Sequence, residues 1–196
     1  MNSSSTTQNA WSPEDCDRAV AALHNAESLR ILVVGDLMVD AYLLGRVDRI
    51  SPEAPVPILR ASQRERRPGG AANVALNLKA LGASVTVGGA IGMDQDGQDL
   101  QKSLDDQGMD TDAIVALKNR RTTVKTRVMS GGQHLLRVDE EDDADLNPED
   151  SQEFLERLAA VLAARPFDAI LLEDYDKGAL SPTVIDGLLE MARERS

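Results

Sequence analysis

The chain has 196 residues, 42% hydrophobic and 28% charged, with a formal net charge of -12. That length holds one domain with a real core, and the composition excludes wholesale disorder. The negative charge repels phosphate backbones and excludes general nucleic-acid binding, so a phosphorylated metabolite has to be held locally by a few placed Lys, Arg and backbone N–H groups. Aromatic residues make up only 3%, so stacking surfaces are scarce. The single cysteine, Cys16, forms no intrachain disulfide, which fits a reducing cytoplasm; Cys16, His24 and His134 have no neighbours at metal-ligand spacing. The N-terminus carries neither a basic nor an apolar targeting region, and no apolar run reaches the roughly 20 residues of a membrane span. The predicted location is therefore cytoplasmic, with no membrane and no nucleic-acid partner.

Residues 1–11 are small and polar and read as a frayed tail. Ser12-Pro13-Glu14-Asp15 predicts a helix start, with Ser12 as N-cap and Asp15 closing a capping box, running to about Ser28. The β-branched run Arg30–Gly35 predicts a buried, parallel strand. Residues 41–67 alternate loosely and are broken by the prolines of Ser51-Pro52-Glu53-Ala54-Pro55-Val56-Pro57, which predicts exposed strands and turns, a β appendage outside the core. Gly69-Gly70 ends it, and Ala71 opens a helix with Val74, Leu78 and Leu81 on one apolar face and Gly82 as its stop. A strand over Ser84–Gly89, a loop over Gly92–Gly97, a helix over Gln98–Gln107 and a further strand near 112–117 follow. Residues 121–138 predict a hairpin turning at Gly131-Gly132 that pairs with the appendage. The acidic stretch 139–150 reads as a solvated loop; it lacks the glycine and ligand spacing of an EF-hand Ca²⁺ site. Then come a helix over Asp150–Ala164 with Phe154, Leu158, Val161 and Leu162 inward, a buried strand over Phe167–Leu172, and a final helix from Ser181-Pro182 with Val184, Ile185, Leu188 and Leu189 inward.

This order predicts an α/β fold: an open, mainly parallel sheet with helices on both sides, plus a small β sheet. A helix after a parallel strand normally delivers the next strand, and the last one here delivers none. The expectation is an incomplete domain over 12–196 whose C-terminal part is missing or supplied by another chain. Ligands of such sheets bind beyond the carboxyl ends of the strands, where three segments stand: 35–40, the Gly69-Gly70 turn and 173–178. Asp40 can accept hydrogen bonds from two sugar hydroxyls. Gly69 and Gly70 allow close backbone approach, with free N–H groups at the helix start, and Asn73 offers both a donor and an acceptor. Lys177 can neutralise a phosphate. Taken singly, Gly-Gly also reads as a tight turn and Asp40 as a cap. Neither standard nucleotide fingerprint and no G-x-S-x-G elbow occurs.

Val33-Val34-Gly35-Asp36 with Asp40, Arg49-Ile50-Ser51-Pro52-Glu53-Ala54-Pro55-Val56-Pro57, Arg67-Pro68-Gly69-Gly70-Ala71-Ala72-Asn73-Val74-Ala75, Lys125-Thr126-Arg127-Val128, Leu136-Arg137-Val138-Asp139 and Asp174-Tyr175-Asp176-Lys177-Gly178 carry a resemblance. Over residues 30–196 the chain resembles the ribokinase-like (PfkB) sugar kinases, and within them the heptose 7-phosphate kinase branch. The resemblance implies a β lid formed by 41–67 and 121–138, which in related kinases also clasps a homodimer. It implies that Asp40, Gly69, Gly70 and Asn73 bind sugar hydroxyls, that Asp174 and Lys177 help hold the substrate, and that Lys125 and Arg127 are candidates for the sugar phosphate, though both also read as exposed lid charges. It implies ATP and Mg²⁺ in the complete enzyme, neither held fully by this chain. The general base belongs to a D-x-x-G-A-G-D segment expected beyond Ser196, so no catalytic residue is assigned here, and this chain alone is predicted inactive. Two alternatives stay open: a kinase for another sugar, and an inactive fragment that binds sugar phosphate or dimerises through the lid.

Overall fold

Four short apolar runs make the central sheet: β1 (Arg30–Gly35), β4 (Ser84–Gly92), β5 (Asp110–Leu117) and β8 (Ala169–Glu173), ordered β5-β4-β1-β8 and parallel throughout. The computed structural model describes residues 12–195, so the tail predicted at 1–11 lies outside the described residues. Alternation of side chains along the strands divides the core in two. Ile31, Val33, Val85 and Val87 pack toward α2 (Ala71–Ala80) and α3 (Gln95–Asp106). Leu32, Val34, Ala113 and Val115 pack toward α4 (Pro148–Ala164) and α5 (Pro182–Arg193), where Phe154, Leu158, Val184 and Leu188 are buried. Ahead of β1, α1 (Pro13–Asn25) starts on the predicted capping box: the Asp15 N–H donates to Ser12 Oγ at 3.1 Å and the Ser12 N–H to Asp15 Oδ2 at 3.2 Å.

A second sheet, the lid, has four strands. β2 (Leu37–Ile50) and β3 (Pro57–Gly70) are antiparallel, β2 and β6 (Thr123–Ser130) parallel, and β6 and β7 (Gln133–Glu140) antiparallel. Gly131 and Gly132, with φ of 56° and 82°, make the two-residue turn between β6 and β7; its left-handed backbone matches the strand twist. The hairpin thus joins the 41–67 appendage, as the sequence predicts.

The structure corrects several expectations. Residues 36–40 are not a loop: β1 runs into β2 through Asp36 alone, because Leu37, Met38 and Val39 continue the buried extended run. Asp40 is therefore a lid-strand residue. Gly69 and Gly70 end a strand that passes without a connection into α2. The buried face of α2 is Ala71, Ala72 and Ala75, with Val74 and Leu78 half-buried and Leu81 51% exposed; small side chains let the helix sit close on the sheet. The next helix starts at Gln95 rather than Gln98, because Asp94 caps it and Gly97 lies within it. Leu189 of α5 is exposed and Ile185 half-buried. In the acidic stretch, Asp139 and Glu140 finish β7, and the carboxylates of Glu141 and Asp142 accept hydrogen bonds. Among the described residues nothing pairs with the outer side of β8; a groove of about 780 Å³ beside it is lined in part by Phe167, Ile170, Leu172, Leu188 and Leu189. No helix among the described residues is long and apolar enough to cross a membrane.

One residue ties the parts together. Asp36 is 2% exposed. Its Oδ2 accepts the N–H groups of Tyr175 at 2.7 Å and Lys177 at 3.1 Å, and its Oδ1 accepts that of Ala179 at 3.1 Å. Its backbone N–H donates to Glu173 and its carbonyl accepts from Ala71. Replacing it by Ala strips three backbone donors of their acceptor, at about 1–3 kcal/mol for each that stays dry. Asp36→Ala is expected to lose about 3 kcal/mol or more in urea unfolding, with Asp36→Asn recovering part through its amide oxygen.

Candidate functional site

Strand register decides which side chains share the inner face of the lid. Met38 lies opposite Gly69, Asp40 between Arg67 and Lys125, and Tyr42 between Glu65 and Arg127. These positions alternate with Val39, Ala41 and Val124, which belong to the core, so Asp40, Lys125 and Arg127 rise from the opposite face. At Gly69 a Cβ atom would lie 2.6 Å from Asp40 Oδ2; the missing side chain is what lets that carboxylate rest on the backbone. Gly70, at φ 55°, turns β3 into α2, and a Cβ there would meet the Asp36 carbonyl at 2.3 Å. No side chain caps α2. Asn73, in its first turn, is exposed, and its amide has no hydrogen-bond partner among the described residues.

Charges fill the space above this floor. Arg127 Nη1 donates to Asp40 Oδ1 at 2.5 Å, and its guanidinium lies 5.5 Å from the centre of the Tyr42 ring. Arg67, reaching from β3, lies 5.4 Å from the same ring, so one aromatic side chain orients two guanidinium groups beside Asp40. Lys125 Nζ donates to Glu141 Oε2 at 2.7 Å and to Asp139 Oδ2 at 3.4 Å, while Lys177 Nζ meets Glu141 Oε1 at 3.1 Å. Glu141 thus bridges lid strand β6 to the segment after β8. The Lys125 hydrogen bond, seconded by that of Lys177, holds the Glu141 carboxyl below the usual range against the effect of burial. The same contact raises Lys177 above its ordinary value. Arg120 donates to the carbonyls of Asp142 and Ala144, each at 3.1 Å, and to that of Lys177.

The site residues read from the sequence fall into three places. Asp40, Gly69, Lys125 and Arg127 meet on the lid face, with Gly70 and Asn73 at the adjoining helix start. Lys177 joins them through Glu141. Asp174 is bonded to none of them: its Oδ1 accepts the N–H of Asp176, which sits at φ 57° in a tight loop of its own. Asp36, Tyr42, Arg67 and Glu141 were not singled out. An acidic residue directly after a buried β-run was a signal for Asp36. Tyr42 and Arg67 need the cross-strand register, and Glu141 is hidden in a run of carboxylates. Chemically, the arrangement offers an acceptor for hydroxyls, close-lying backbone, a free amide and cations, the parts needed to hold a polyol bearing an anion.

Comparison with known proteins places these residues in a wider set. The pfkB family carbohydrate kinases match over residues 28–178. The bifunctional protein HldE of Methylobacillus flagellatus is 46% identical over 162 residues, which are 83% of this chain and 33% of that protein. HldE of Trichlorobacter lovleyi is 44% identical over 171 residues, 87% of this chain and 34% of its own. Among solved structures, a carbohydrate kinase from Agrobacterium tumefaciens superposes with a TM-score of 0.63 at 22% identity, covering 85% of this chain and 50% of that one. Ribokinase from Giardia lamblia superposes with a TM-score of 0.59 at 18% identity, over 85% and 50%. The chain spans about a third of the length of the curated relatives it matches.

The Glu141 bridge predicts a pH dependence. A depressed folded-state carboxyl stabilises fully above its unfolded value of 4.5, and that contribution is lost as pH falls through the lower folded value. The raised Lys177 contributes below 10.5 and loses its share as pH rises through the higher folded value. Urea unfolding followed across pH is expected to show a shallower acid-side decline in Glu141→Gln than in the parent chain.

Proposed function

The chain belongs to the pfkB family of carbohydrate kinases, and from that premise we propose that its lid face is the acceptor-sugar site of a heptose kinase. The substrate is D-glycero-β-D-manno-heptose 7-phosphate, phosphorylated at the anomeric hydroxyl to the 1,7-bisphosphate on the way to ADP-heptose and the lipopolysaccharide core. The observation that carries the reading is Asp40 lying against Gly69 beside Arg127, a carboxylate, bare backbone and guanidinium in one contact set. The R-I-S-P-E-A-P-V-P and P-G-G-A-A-N-V-A strings and the likeness to proteins named HldE support the heptose branch in particular.

In this proposal Asp40 accepts hydrogen bonds from sugar hydroxyls, and the ring rests on Gly69 and Gly70. Asn73 adds one donor and one acceptor. Arg127 and Lys125 serve the 7-phosphate, and Asp174 and Lys177 close the site from the core side. Arg127 exchanges its bond to Asp40 for the arriving phosphate as hydroxyls take its place on the carboxylate. ATP and Mg²⁺ belong to the complete enzyme, in which a base deprotonates the anomeric hydroxyl for attack on the γ-phosphate. Among the described residues no group of three or more His, Cys, Asp or Glu is arranged for a metal ion. The D-x-x-G-A-G-D segment to which the resemblance assigns the base and anion hole does not occur in the sequence. The 196 residues by themselves are therefore proposed to position a sugar without phosphorylating it. Lid-to-lid homodimerisation and a cytoplasmic setting complete the reading.

Isothermal titration of heptose 7-phosphate into the chain tests it. Binding is expected, weakened about tenfold or more by Asp40→Ala and by Gly69→Ala, with ATP-dependent ADP release at background level. Equal affinity in both variants contradicts the assigned site. Tighter binding of a different sugar phosphate overturns the substrate, and turnover by the chain alone overturns the division of labour.

A further inference from the structure

The lid meets the core at four roots, the last being residues 141–147 between β7 and α4. One residue, Asp36, separates β1 from β2, and none separates β3 from α2, so the first two are fixed by the covalent chain. The third differs: between Leu117, the end of β5, and Thr123, the start of β6, lie the five residues Lys118 to Thr122. Without further support, the entry of β6 would be set by a short irregular connection.

A polar knot supplies that support. Asp94 follows the end of β4 and caps α3. Its Oδ1 accepts the Gly97 N–H at 2.8 Å and the Thr122 hydroxyl at 2.7 Å, and its Oδ2 accepts the Thr122 N–H at 2.8 Å. Thr122 Oγ1 in turn accepts the Gly92 N–H at 2.9 Å. Thr122 is 3% exposed, so these groups have little water to fall back on. The glycines make the knot fit: a Cβ on Gly92 would lie 2.4 Å from Asp94 Oδ2, and one on Gly97 would lie 2.8 Å from Thr122 Oγ1. A strand end, a helix start and the first step of the lid strand are thereby joined in one saturated network. The chain passes from Thr122 straight into β6, where Lys125 and Arg127 follow.

We propose that Asp94 and Thr122 are positioning residues that clamp the root of β6 and so set where Lys125 and Arg127 stand relative to Asp40. The clamp is a property of the fold; its effect on the ligand rests on the acceptor-site reading above. The N–H of Arg121 on Asp142 Oδ2, at 2.9 Å, steadies the other side of the same connection toward α4, but it does not reach the end of β4.

The test uses Thr122→Val, which keeps the shape and removes the hydroxyl, and Thr122→Ser, which keeps the hydroxyl. Asp94→Asn serves as an independent break, because its amide nitrogen cannot accept from the Thr122 N–H. Amide hydrogen exchange on the free protein is expected to rise roughly tenfold or more across 123–140 in Thr122→Val and Asp94→Asn. It should stay within about twofold across 30–35 and 169–173, and Thr122→Ser should restore the parent pattern. Lid exchange unchanged in both breaking variants overturns the proposal, as does an equal rise in lid and core, which marks a general loss of stability. Titration of heptose 7-phosphate is read separately: affinity falling with lid protection, and returning in Thr122→Ser, supports the link to the ligand. A shifted exchange pattern in a protein that binds no heptose 7-phosphate leaves the clamp standing and removes the acceptor-site reading.

Discussion

Asp36 is the constraint on which the rest of the structure depends. Its carboxylate gathers three backbone N–H groups of the segment after β8, and its own backbone joins that segment to the start of α2. A parallel sheet brings its strand ends to one edge, but it does not fix the segments that leave them. Here one buried residue, standing at the exit of β1 into the lid, does so for two others: its carboxylate holds the segment leaving β8, and its backbone carbonyl holds the return of the lid into α2. The place where Gly70 turns, and hence where Asn73 projects, is set by that residue's carbonyl.

From this anchor the lid takes its charge pattern. On the inner face Arg127 pairs with Asp40, Arg67 with Glu65 and Lys125 with Glu141, and Lys177, from the segment after β8, meets the same Glu141. In a chain of net charge -12 these pairs keep cations preorganised without leaving them to be neutralised at random. Their individual contributions to stability are modest where solvent reaches them. Their value is positional, because a ligand that brings both hydroxyls and an anion can replace each intramolecular partner with one of like chemistry.

Much of the fold was legible because period and punctuation agreed. Ile31 to Val34 could only be a buried strand, Phe154, Leu158, Val161 and Leu162 a helix face, and Gly131-Gly132 a hairpin turn. The failures share a cause: local signals were outweighed by tertiary pairing. Residues 37–40 looked like a loop beyond a strand, yet cross-strand pairing to both Gly69 and Thr123 extends them. Alanines, which carry little hydrophobic signal, define the buried face of α2 because the sheet lies so near. At the candidate site, Gly69, Gly70 and Asn73 stand where the sequence placed them, at a turn into a helix, whereas Asp40 lies within a strand and not in the loop expected for it. Their partners could not be named from sequence: Tyr42, Arg67 and Glu141 acquire their roles from register and from a contact between distant segments.

The central claim is that the carboxylate–glycine face of the lid, rather than the apolar groove beside β8, is where this chain meets a small molecule. Backbone amide chemical shifts of the isotopically labelled chain, followed as heptose 7-phosphate is added, test this most directly. The account predicts saturable shifts centred on Asp40, Gly69, Gly70, Asn73 and Arg127, with the amides of Phe167, Ile170 and Leu188 unmoved. Shifts confined to the groove, with Gly69 and Asn73 silent, would contradict it.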